Sequence, residues 1–90
     1  MGMSAVQYKI MPESLDINLD ELVEITKEKI SEFGGNFSHS EKKPIAFGLS
    51  ALIISFAFPE SNEIDELGNS IEEIKGVSSV ELIDYRRAVG

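Results

Sequence analysis

Apolar and polar residues alternate from Val6 to Ile10, with Val6, Tyr8 and Ile10 set against Gln7 and Lys9. This two-residue period describes a strand with one buried face, and Pro12 closes it. The period lengthens after Asn18. Asn18 followed three residues later by Glu21 reads as a capping box, and Ile17 and Leu22 stand where a hydrophobic staple fixes the entry of a helix. From there Leu19, Leu22, Val23, Thr26, Ile30 and Phe33 share one helical stripe, and Gly34-Gly35 supplies a left-handed stop. A stretch with little apolar content beyond Phe37, from Asn36 to Glu41, predicts a short polar edge strand.

Leu49 to Phe58 is apolar on both alternations, with Leu52, Ile54, Phe56 and Phe58 on one face and Leu49, Ala51 and Ile53 on the other, as a central strand requires. A second helix is expected with Ser61 or Asn62 as its cap and Ile64, Leu67, Ile71 and Ile74 on its buried face, ending at Gly76. Val77 to Tyr85 reads as the last strand. The order βαββαβ predicts an α+β, ferredoxin-like two-layer sandwich occupying 1-90 as one domain. The recurrence of LDEL at 19–22 as IDEL at 64–67 fits its pseudo-twofold halves. Right-handed crossovers give an antiparallel sheet of order 4-1-3-2 with both helices on one face. Leu49, Ala51 and Ile53, with Ala5 and Met11, are then expected on the uncovered face as a mildly apolar patch.

Composition narrows the function. Ninety residues support a single core, and 42% apolar with 27% charged residues is ordinary globular usage. Sixteen acidic against eight basic residues give a formal charge of -8, which repels phosphate backbones and argues against direct nucleic-acid binding. With no cysteine, the chain has no disulfide, thiolate nucleophile or cysteine-ligated metal. The longest apolar run, Ala51 to Phe58, is far short of the ~20 residues that cross a bilayer. The N-terminal MGMSAVQYKIMPES has no secretory pattern, so no membrane association and a cytoplasmic location are expected.

Catalytic equipment is sparse. His39 is the only histidine and falls on the expected edge strand, where a solvated role is the ordinary one. The serines have no nucleophile-elbow context, and the glycines form neither GxGxxG nor GxxxxGK[ST]. Acidic residues and lysines intermingle along the first helix as on a solvated face. RNA recognition modules share this topology but stack bases on open-face aromatics within a basic surround, and neither is present here. No cofactor is expected, and no covalent catalysis.

Four stretches carry a resemblance: MPES at 11–14, PIAFGL at 44–49, IEEIKGVSSVEL at 71–82 and DYRR at 84–87. Together they make the chain similar to the archaeal translation elongation factor 1-beta family, from its first strand to its last. PIAFGL is the most specific of them. The resemblance implies a guanine-nucleotide exchange factor whose partner is the translation elongation GTPase that delivers aminoacyl-tRNA. Such a factor loosens GDP by linkage, binding the nucleotide-free GTPase more tightly than the GDP form.

The resemblance also implies a partner-binding site. In that family the phenylalanine of PIAFGL packs against the GTPase near its nucleotide, a role that falls here to Phe47. Pro44, Ile45, Ala46 and Gly48 shape the segment around it: proline holds Lys43 extended and glycine lets the backbone turn. Lys42 and Lys43 are candidates for acidic groups of the partner. Eukaryotic relatives carry a C-terminal lysine that enters the GTPase magnesium site; this sequence ends RRAVG, so Arg86 and Arg87 are the nearest basic candidates. The chain is expected to be monomeric alone. A rival reading is a regulatory or ligand-binding domain of the same fold that self-associates through its open sheet face.

Overall fold

A computed structural model describes residues 2–87; Ala88 to Gly90, the end of the RRAVG segment, lie outside the described residues. The strands are β1 (Met3–Pro12), β2 (Asn36–Pro44), β3 (Ser50–Pro59) and β4 (Val77–Arg87). The helices are α1 (Leu19–Glu32) and α2 (Ile64–Glu72). All pairings are antiparallel, and the sheet order β2-β3-β1-β4 is the one the connection rules give. The two LDEL-like segments open the two helices, at Leu19 and at Ile64.

The core follows the alternation of β1 and β3. Val6, Tyr8 and Ile10 are buried with Leu52, Ile54, Phe56 and Phe58, beneath Leu22 and Ile30 of α1 and Leu67 and Ile71 of α2. Phe56 meets Phe58 edge to face at 6.1 Å between ring centres and lies 5.6 Å from Tyr8. Asn18 caps α1: its side-chain oxygen accepts from the Asp20 and Glu21 N–H groups at 3.0 and 3.2 Å. Gly34 ends that helix at φ 88°. Thr26, on the buried stripe, has a hydroxyl with no hydrogen-bond partner, a local cost within this core.

Several boundaries differ from the sequence expectation. The edge strand runs on to Pro44 instead of stopping at Glu41, so two lysines lie within it, and β3 starts at Ser50, which leaves Leu49 in the turn. Neither Ser61 nor Asn62 caps α2; its N-cap is Glu63, with no side-chain bond. Asn62 is recruited elsewhere, its side-chain amide donating to the Phe33 carbonyl at 2.8 Å and so closing the end of α1. Helix α2 stops at Glu72, before Gly76, yet Ile74 stays in the core from the connecting turn.

The uncovered face also departs from expectation. Ala51 and Ile53 are 0% and 8% exposed and contribute little surface, whereas Ala5 is exposed and Leu49 and Met11 are half-buried, so the expected patch is reduced to these three. The two buried residues lie on a central strand, flanked in register by longer side chains: Glu41, Ile53, Lys9 and Glu81 form one row, and His39, Ser55, Gln7 and Asp84 the next. Gln7 donates to the Ser55 hydroxyl at 2.9 Å within that second row.

Tyr8 fastens α2 to the sheet. Its hydroxyl donates to the Ile64 carbonyl at 2.9 Å, and the bare backbone of Gly68 makes room for it, since a Cβ there would lie 3.0 Å from the phenol oxygen. Burial, with the Asp65 carboxylate adding to it, pushes the Tyr8 phenol up to about 12 from an ordinary 10.0. A raised acid is favoured in its neutral form by folding. The contribution is therefore complete below pH 10 and lost as pH rises towards 12. Unfolding free energy measured across that interval should fall, and Tyr8→Phe should remove most of this alkaline slope; an unchanged slope in the variant would mean that Tyr8 is not its source.

Candidate functional site

Strand direction sorts the loops into two ends. The β2–β3 turn, the β1–α1 loop and the α2–β4 turn gather at one end, while the α1–β2 and β3–α2 connections and the end of β4 gather at the other. The PIAFGL segment forms the tip of the first end. Pro44 closes the edge strand opposite Ser50, a place where its missing N–H costs the sheet little. Ile45 is extended and donates to the Leu49 carbonyl at 2.8 Å, and Leu49 donates back to Ala46 at 3.3 Å.

Between them Phe47 sits at φ 62°, ψ 29° and Gly48 at φ 76°. These are the two left-handed positions of a type I′ hairpin turn, which matches the twist of the strands and normally carries Asn-Gly or Asp-Gly. Gly48 fits without strain. Phe47 does not: left-handed backbone costs a residue with a Cβ about 1–2 kcal/mol. Its ring gains nothing from the fold in exchange, since Phe47 is 93% exposed. A phenylalanine thus stands in water on a backbone conformation suited to asparagine.

The remaining candidates divide. Lys42 and Lys43 follow the strand alternation to opposite sides of the sheet: Lys42 reaches Asp20 at the start of α1, 3.0 Å away, while Lys43 lies opposite Ala51 on the uncovered side. One lysine is already paired, and the other is free to meet a partner among the described contacts. Arg86 and Arg87 are not brought to the tip. Arg86 stands opposite Ala5, which pairs with Ala57, so it lies roughly 25 Å from the turn at about 3.3 Å per strand residue. There its guanidinium lies 3.2 Å from Asp84, at the rim of a shallow groove of about 460 Å³ that Ala5 and Ala57 floor. His39 edges the same groove, beside the Ser38 hydroxyl.

The structure adds one residue that the sequence pattern did not single out. Leu15, in the β1–α1 loop, is 68% exposed and lies against Gly48, where an added Cβ would be 3.7 Å from its methyl. Only its company in space distinguishes it from any leucine in a polar loop. Among the described residues no cluster of His, Asp and Glu able to hold a metal comes together, and no helix is long and apolar enough to cross a membrane.

The domain is thus a two-layer ferredoxin-like sandwich whose most exposed large apolar side chains, Phe47 and Leu15, lie at one end. Comparison with known proteins makes the class specific. The EF-1 guanine nucleotide exchange domain family matches residues 5–87, and the chain belongs to that family. It is 43% identical over 82 residues to elongation factor 1-beta of Nanoarchaeum equitans, spanning 89% of this chain and 99% of that one. It is 40% identical over 84 residues to elongation factor 1-beta of Sulfolobus acidocaldarius, spanning 91% and 92% of the two chains. Among solved structures, the ACT domain of the GTP pyrophosphokinase of Chlorobium tepidum superposes with a TM-score of 0.62 at 18% identity, over 88% of this chain and 96% of that one. At that identity the likeness concerns the fold alone.

The backbone at Phe47 generates a direct expectation. Phe47→Asn should raise the unfolding free energy by about 1 kcal/mol in denaturant titration, since asparagine tolerates the left-handed region that phenylalanine resists. An equal or lower stability would show that the turn holds no such strain.

Proposed function

We propose that this chain promotes release of GDP from the translation elongation GTPase by docking its hairpin tip, with Phe47 as the anchor, on that partner. The observation that carries the reading is the 93% exposed ring on a strained turn inside the family's most specific motif. A strained, exposed aromatic residue is a cost to the free molecule. The cost is offset when the ring is covered. Burying the ~150–250 Å² of an aromatic side chain at ~25 cal/mol/Å² yields on the order of 4 kcal/mol before the entropic costs of association. That exceeds the turn's strain and is of the size needed for a coupling of 1–3 kcal/mol between two ligands.

The mechanism is thermodynamic linkage. The tip and GDP bind the same GTPase, and a partner surface that closes on the tip only when the nucleotide is absent lowers nucleotide affinity by the factor with which GDP lowers affinity for the tip. No bond is made or broken by this chain. Arg86 and Arg87 act at the far end, so a GTPase that meets both must span the roughly 25 Å between Arg86 and the turn. Lys43 is placed to meet an acidic group beside the tip, and Lys42, held by Asp20, supports the turn from the helix side. The site of action is the cytoplasm, with the translation machinery.

Release of labelled GDP from the purified elongation GTPase tests this directly. Wild-type chain should accelerate release, and Phe47→Ala should lower kcat/KM at least about 30-fold, the size of a 2 kcal/mol hot-spot loss, with melting temperature nearly unchanged. The double change Arg86→Ala, Arg87→Ala should cost severalfold at low salt, with the gap closing as ionic strength rises. A GTPase indifferent to the chain contradicts the reading. An arginine effect that is absent at every salt concentration removes the far end from the interface.

A further inference from the structure

The two most exposed large apolar side chains of the described molecule are Phe47, at 93%, and Leu15, at 68%; the next, Leu82, is 44% exposed. They come from loops 32 positions apart in sequence and meet at one end of the sheet, where Leu15 lies over the backbone of Gly48. A single exposed leucine calls for no explanation, but adjacent exposure of the two largest cases does. Beside Leu15 and Gly48 opens a small cleft of about 100 Å³ whose walls combine Pro12, Ile17, Leu19 and Leu49 with the polar Ser14 and Ser50.

The loop that carries Leu15 is held in place. The Glu13 N–H donates to the Gly76 carbonyl at 2.9 Å, tying the loop to the α2–β4 turn. The Asp16 and Ile17 N–H groups both turn back on Ser14, to its hydroxyl at 3.3 Å and its carbonyl at 3.4 Å. Ile17 and Leu19 point to the core, while Leu15 between Ser14 and Asp16 is left outside. These bonds order the main chain on either side of Leu15, so a partner that covers the leucine has only its side chain left to immobilise.

From this placement we infer that Leu15 is a second anchor of the same docking surface, so that the GTPase meets a two-pronged apolar tip. The inference rests on the exchange reading above and adds the chemistry of the partner: an uncharged apolar patch with a pocket for an aromatic ring beside a ledge for an aliphatic side chain. Lys42 is paired with Asp20, while Lys43 is the charged group left beside the tip. The share of affinity that comes from burying Leu15 is apolar and therefore insensitive to salt, in contrast to the lysine and the arginine end.

The absence of cysteine makes the test clean, because a single introduced thiol is the only one to label. Leu15→Cys, Phe47→Cys and Glu28→Cys, each carrying an environment-sensitive fluorophore, are titrated with nucleotide-free GTPase; Glu28 reports the outer face of α1, away from both ends. Labels at positions 15 and 47 should both shift to the blue and lose access to a soluble quencher, while the label at 28 stays unchanged. In parallel, Leu15→Ser should lower kcat/KM for GDP release about 10-fold at every salt concentration, with melting unchanged. A response at 47 without one at 15, or full activity of Leu15→Ser, overturns the second anchor and leaves the exchange reading standing. No response at either position, with Phe47→Ala fully active, overturns both.

Discussion

Antiparallel pairing of β1 with β3, from Met3 opposite Pro59 to Ile10 opposite Leu52, is the constraint from which the rest of the molecule is built. Its register puts Val6, Tyr8 and Ile10 on the same side as Leu52, Ile54, Phe56 and Phe58, and a slip of one residue would turn each set to the wrong face. Both helices exist to cover that side. The same pairing fixes which loops are neighbours: β1 ends where β3 begins, so the loop after Pro12 must lie beside the turn before Ser50. Proximity of Leu15 to Gly48 is a consequence of strand register.

On that frame the tip is where backbone and residue disagree most sharply, Phe47 being the one non-glycine residue with positive φ among the described residues. A type I′ turn is the natural closure for a twisted hairpin, and the sequence offers it Phe-Gly where asparagine or aspartate would cost less. Strain of about 1–2 kcal/mol is tolerable in a domain with a well-filled core, and it persists because the flanking ladder of β2 and β3 sets the turn's geometry. The backbone beneath the ring is fixed while the ring itself stands in water. On the proposed docking, the strain carried by the free chain is offset once a partner covers that ring.

Much of this was legible in the residues because the signals were local. Alternation in β1, the Asn18 cap, the double-sided apolar run of β3 and the paired LDEL segments specify elements by themselves, and their order specifies the topology. What escaped was set by distant neighbours. Asn62 looked like a cap for the helix that follows it, but the free carbonyl of Phe33, 29 residues away, claims its amide. Ala51 and Ile53 looked like an exposed patch, but burial on a central strand depends on the side chains of the strands on either side. Phe47 could be singled out through PIAFGL, whereas its left-handed backbone could not, since nothing in phenylalanine favours that conformation. Leu15 carries no signal of its own in the chain; it acquires meaning from the residue it meets across the fold.

The central claim is that the tip sacrifices stability of the free chain for grip on a GTPase, and a single variant separates the two. GDP release by Phe47→Asn, measured with its unfolding free energy in the same buffer, is the most direct test. The account predicts a chain that is more stable than wild type and a much poorer exchange factor. A variant that is more stable and equally active would contradict it, because the exposed ring would then have no task that justifies its strain.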